Sequence, residues 1–181
     1  MLALATGHQT ARAEGEWFVS LYGGVMTENS IDDLMHFDAT FADSQLLVLT
    51  GGKEVYRWDK YLGVELEGQI GKHFGYMDHF EFNGLMTLRW HPFPWDKYLD
   101  TSFAFGNGLS YALDEPQVEI DKNDETARLL YYLMIELDFK IPKQERWSVF
   151  ARLHHRSGAF GLFDGVHGGS NAITGGIKFT F

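Results

Sequence analysis

From Leu129 to Ile141 every second residue is large and apolar, and Glu136, Asp138 and Lys140 stand between them. Successive side chains of a strand point to opposite faces. One face is therefore Leu129, Tyr131, Leu133, Ile135, Leu137, Phe139 and Ile141, and the other carries charges of both signs. The run from Trp147 repeats the plan, with Val149, Ala151 and Leu153 on one side and Arg152, His154 and Arg156 on the other. Arginines on a buried face require a polar, hydrated or ion-paired interior. An apolar outside around a charged inside is the arrangement of a barrel that spans a membrane.

Eight such runs are readable, at 16–26, 45–57, 61–74, 79–91, 99–112, 129–141, 147–159 and 172–181. They approximate the ~9–11 residues that a tilted membrane strand needs. Outward sets include Leu62, Val64, Leu66 and Ile70; Phe80, Phe82, Met86, Leu88 and Trp90; Phe103, Phe105, Leu109 and Tyr111; and Ile173, Ile177, Phe179 and Phe181. Inward partners include Glu65, Glu67 and Gln69, then Glu81, Asn83 and Arg89, then Thr174 and Lys178. Inward charges of both signs predict a lumen filled by a polar network, with no open channel. The second run alternates poorly, and Gly51-Gly52 is the expected site of a bulge that resets its register.

The connections alternate between short and long, as short inner turns and long outer loops require. Two short ones share the sequence WDKYL, at 58–62 and 95–99, whose Trp and Tyr suit an aromatic girdle at the interface. The long ones lie near 27–44, 113–128 and 160–171. The expected fold is all-β: an eight-stranded antiparallel transmembrane β-barrel with a polar, filled interior, occupying 14–181. Residues 1–13 (MLALATGHQTARA) read as the tail of an export signal or a disordered N-terminus, with Ala11-Arg12-Ala13 fitting a signal-peptidase site. The terminal Phe181 resembles the closing aromatic of bacterial outer-membrane proteins.

Composition narrows the classes. No apolar stretch approaches the roughly 18 residues of a membrane helix. A mean hydropathy of −0.21 is what alternating faces average to. A net charge of −10 argues against a nucleic-acid surface. The absence of Cys fits a protein that crosses an oxidising compartment without a disulfide plan.

Within the seventh run, His155 and Ser157 break the apolar face. Residues i and i+2 of one strand face have Cβ atoms roughly 6–7 Å apart, a gap that an imidazole can bridge to a hydroxyl. The His would act as general base while Ser attacks an ester carbonyl. Run seven travels outward, which puts the pair near the outer leaflet on the lipid-facing surface. The plainer reading is that both merely lie at headgroup depth, where polar side chains are tolerated.

Strand, face and depth together resemble the PagL-like lipid A 3-O-deacylases, a family of outer-membrane eight-stranded barrels. The resemblance is loose over the barrel and closer over 147–181. It implies Ser157 as nucleophile, His155 as base, lipid A of lipopolysaccharide in the outer leaflet as substrate, and no metal or organic cofactor. Counted back from the C-terminus, the family's acidic third member falls on Asn171, which can orient an imidazole but cannot offset its charge. The residue after the Ser, often an Asn in the family, is Gly158. Backbone N–H groups of the Gly158 to Gly161 turn are the expected oxyanion donors, and Asp164 is a fallback orienter.

Other groups read as structural. His154 alternates inward with the arginines as a lumen hydrogen-bond partner. His36, His73, His79, His91 and His167 are scattered without metal-ligand spacing, so no metal is assigned. The Gly-rich stretch 165–171 lacks the lysine and the strand-to-helix context of a phosphate loop. Two further functions stay open: a non-catalytic barrel that binds lipid or a protein partner or stabilises the envelope, and a soluble lipocalin-like barrel, which would need an apolar interior.

Overall fold

A computed structural model describes residues 15–36, 38–123 and 125–181. The export-signal reading falls on residues outside this set. Eight strands follow one another as β1 (Trp17–Thr27), β2 (Phe41–Trp58), β3 (Leu62–Gly75), β4 (Phe80–Trp90), β5 (Thr101–Ala112), β6 (Leu129–Lys140), β7 (Trp147–Ser157) and β8 (Gly169–Thr180). Each pairs antiparallel with the next, and β8 closes on β1, so the sheet has no free edge. Two short helices, α1 (Ile31–Met35) and α2 (Gln117–Asn123), sit in the β1–β2 and β5–β6 connections. They lie at the same end as the β7–β8 loop.

The faces divide as the alternation requires. Leu66, Ile70, Phe80, Met86, Leu109, Leu137 and Ile177 are exposed outside, while Glu65, Glu67, Gln69, Arg89, Glu136, Asp138, Arg152 and Lys178 are buried inside. This is a transmembrane barrel, not a lipocalin-like one. Trp58, Tyr61, Trp95, Tyr98 and Trp147 are exposed at the short-turn end, the position of an interfacial girdle.

The lumen is saturated with ion pairs. Glu136, fully buried, accepts from Arg89 Nη2 (2.8 Å), Arg152 Nη2 (2.5 Å) and Lys178 Nζ (2.7 Å). Arg89 also grips Glu65 through Nε and Nη2 (2.6 and 3.0 Å), and Arg152 reaches Glu67 (3.2 Å). Above this layer Arg156 pairs with Glu119 of α2 (2.8 Å), which ties an outer loop into the barrel. Each of these buried charges thus has charged partners that replace water.

Two local expectations are corrected. Gly51 and Gly52 stay in register with Val19 and Phe18, and the irregularity in β2 falls instead between Glu54 and Tyr56. Gly52 serves packing: a Cβ there would lie 2.2 Å from the Phe18 ring. Lys140 stays on the inward face, opposite Ser148, and at the barrel mouth it pairs with exposed Asp100 (3.1 Å). The outer loops also hold helices; α1 begins with a capping box in which Ser30 and Asp33 satisfy each other's backbone N–H.

Candidate functional site

The β7–β8 register sets the site. It places His155 directly opposite Asn171, and Ser157 opposite Gly169. His155 and Ser157 are half-buried on the outer face at the long-loop end, while Arg152, His154 and Arg156 point inward and are buried. Gly169 permits this approach, because a Cβ there would lie 2.0 Å from the Arg156 carbonyl oxygen and 2.9 Å from Ser157 Cβ.

His155 Nδ1 lies 2.6 Å from Asn171 Oδ1. The amide's orientation is fixed from its other side, since Asn171 Nδ2 donates to the Asn29 carbonyl at 2.8 Å. Oδ1 can only accept. His155 Nδ1 therefore carries the proton, and Nε2 is left with a lone pair on the side available to a substrate. Ser157 lines the same groove as His155, and among the described residues no hydrogen bond joins its Oγ to His155 Nε2.

Two contributors to this arrangement were not foreseen in the sequence. The Asn29 carbonyl that anchors Asn171 also accepts from Lys122 Nζ of α2 at 2.8 Å. Loops from opposite parts of the chain thus converge on one carbonyl behind the imidazole. Burial pulls the Lys122 ammonium below its ordinary pKa, and the Asp33 and Glu119 carboxylates pull it back. Neither residue carried a spacing signal; both lie in long loops without periodicity.

The turn after Ser157 is strained. Ala159, Phe160 and Gly161 are all left-handed, with φ of 48°, 59° and 87°. Both glycine N–H groups expected at the oxyanion are committed: Gly158 donates to the Gly168 carbonyl and Gly161 to the Val166 carbonyl, each at 3.0 Å. Among the described residues, the N–H groups of Ala159 and Phe160 have no backbone acceptor. A larger residue at 158 would not fit this turn, because a Cβ on Gly158 would sit 1.9 Å from the Val166 carbonyl oxygen. Asp164 is exposed and lines a separate recess with Glu115 and Glu125, while Asn171 occupies the position behind His155.

A groove of about 390 Å³ opens over the pair, walled by Ile31, Tyr131, Leu133 and Phe160, with Lys122 at its rim. Phe160 is 97% and Leu162 79% exposed, an apolar tip beside the groove. Such a tip is costly in water and stable against lipid.

His73, His79 and Glu81, far apart from any metal-binding spacing in the sequence, are brought together inside the lumen, all three buried. Strand register across the β3–β4 turn does this, with His73 N–H donating to the His79 carbonyl at 2.9 Å.

No protein-family model matches the chain, and no curated protein matches it in sequence. Solved structures share its fold. The outer membrane enzyme PagL superposes with a TM-score of 0.51 at 15% identity, covering 90% of this chain and 98% of that one. Neisserial surface protein A gives 0.50 at 10% identity, covering 96% and 100%. One neighbour is an enzyme and the other a surface protein, so the likeness fixes the architecture, that of an eight-stranded outer-membrane barrel, and leaves the chemistry to the site.

Proposed function

We propose that this chain is an integral protein of the bacterial outer membrane that removes an ester-linked acyl chain from the lipid A of lipopolysaccharide. The observation that carries the reading is the 2.6 Å contact of His155 Nδ1 with Asn171 Oδ1, which leaves Nε2 unprotonated in the groove that Ser157 also lines. In this reaction Ser157 Oγ attacks the ester carbonyl while His155 Nε2 takes its proton. The Ala159 and Phe160 N–H groups are the donors for the resulting oxyanion. Collapse expels the sugar hydroxyl, which receives the proton from His155, and an acyl-serine remains. A water then gives its proton to His155 and attacks the acyl-serine; collapse releases the fatty acid as Ser157 Oγ takes that proton back from His155. The apolar groove walls and the exposed Phe160 and Leu162 suit an acyl substrate held in the outer leaflet.

A second reading, a barrel without catalysis, is favoured by one feature: the group behind His155 is a neutral amide, which orients the ring but does not stabilise an imidazolium. The test is the mass of lipid A from cells expressing this chain against a Ser157→Ala control. Loss of one acyl chain only with Ser157 present is expected. Unchanged lipid A from cells whose outer membrane holds the folded barrel would favour the second reading.

A further inference from the structure

Glu81 differs from every other buried carboxylate among the described residues. Glu65, Glu67, Glu119, Glu136 and Asp138 each pair with an arginine or lysine. Glu81 has none; its partners are His73 Nε2 (3.0 Å), His154 Nε2 (2.9 Å) and Asn83 Nδ2 (2.8 Å). A buried carboxylate whose charge is met only by imidazoles is less securely balanced than one held by an arginine or lysine. Beside it, His79 Nε2 is buried and has no hydrogen-bond partner. His73 and His79 are 2% and 4% exposed, and their rings stack at 4.4 Å.

We propose that His73, His79 and Glu81 bind one transition-metal dication of the Zn2+ class at the long-loop end of the lumen. The donor set of two imidazoles and one carboxylate is one that Zn2+ takes, with a fourth position left for water. Two ligand atoms on one tetrahedral zinc lie about 3.3 Å apart. His73 Nε2 and Glu81 Oε2 stand at 3.0 Å, so the ion replaces the proton they share. One ligand atom from each of the three residues lies within 4.8 Å of the others, and His79, in the β3–β4 turn, closes the remaining distance. The other Glu81 oxygen is already held by His154 and Asn83, the kind of outer hydrogen bonding that fixes a metal-binding carboxylate. His154 is in turn held by the Tyr132 hydroxyl at 3.1 Å. The ion would supply the charge that Glu81 lacks, and it does not depend on the esterase reading.

The test uses the full barrel refolded in detergent without a polyhistidine tag, stripped by chelator and titrated with Co2+ and then Zn2+. About one equivalent of Co2+ is expected, with visible absorption bands that Zn2+ abolishes. His79→Gln should weaken uptake by roughly tenfold or more, while His36→Gln and His167→Gln, at exposed positions, leave it unchanged. Folding is read by heat-modifiable migration in gels. His79→Gln lies outside the strands, so its effect remains readable if His73→Asn or Glu81→Gln does not fold. A folded wild-type barrel that takes up neither ion, or a His79→Gln variant that binds as well as wild type, overturns the proposal; a protonated imidazole would then balance Glu81.

Discussion

His154 and His155 are neighbours on β7, and they differ in one respect that separates structure from chemistry. His154 points inward and both ring nitrogens are engaged, Nδ1 with the Tyr132 hydroxyl and Nε2 with Glu81. His155 points outward and has one nitrogen engaged, Nδ1 on Asn171, with the other facing a groove that Ser157 also lines. A saturated imidazole holds a lumen together. A half-saturated one, fixed in a single tautomer, is available to move a proton. The period-2 geometry of the strand is what assigns the two roles.

The comparison can be broken first at its outward half. His155→Ala should lower deacylation by roughly 10⁴-fold or more, in line with loss of a base from a cooperating set. The same change should leave resistance to urea within about 1 kcal/mol, because it removes a single net hydrogen bond. Equilibrium unfolding in lipid vesicles checks the second half of that statement. The largest stability effect should come from the inward side, at Glu136. Glu136→Ala leaves Arg89, Arg152 and Lys178 without their shared partner and should cost about 3–5 kcal/mol, read from the same unfolding curves.

His154→Ala sharpens the contrast within one pair of residues. It strips a partner from Glu81 and from Tyr132, and should destabilise the barrel by about 1–3 kcal/mol. Activity per folded molecule should stay close to wild type. Equal loss of activity in both histidine variants would remove the distinction. The smallest effect should come from Lys122→Met, which frees one side of the Asn29 carbonyl and loosens the anchor of Asn171. Roughly tenfold lower kcat is expected, about 1.4 kcal/mol, with heat-modifiable migration unchanged.

The strands were legible because alternation is a local consequence of backbone geometry. The outward set Leu129 to Ile141 and the inward Glu136 and Asp138 follow from counting alone. His155 and Ser157 were placed on the right face by the same count. Asn171 came only from the family resemblance; what sets it opposite His155 is the β7–β8 register, which runs unbroken from Trp147–Phe179 to Ser157–Gly169 and which counting within one strand does not give. Where several strands meet, local counting stops helping. His79 and Glu81 are two positions apart, and His73 joins them only through the β3–β4 pairing across the turn. Gly51-Gly52 looked like a bulge from sequence, yet the second glycine answers to Phe18 on the neighbouring strand. Asn29 and Lys122 lie in loops whose course no periodicity sets. The Ser30 and Asp33 capping pair that starts α1 was readable and would have marked that loop as structured.

The central claim, a nucleophilic Ser157 activated by His155, is tested most directly by covalent labelling of the folded barrel with a fluorophosphonate probe, followed by peptide mass mapping. The account predicts an adduct on Ser157 that disappears in His155→Ala while that variant still folds. A folded barrel that takes no label at Ser157, or that labels equally well without His155, would contradict it.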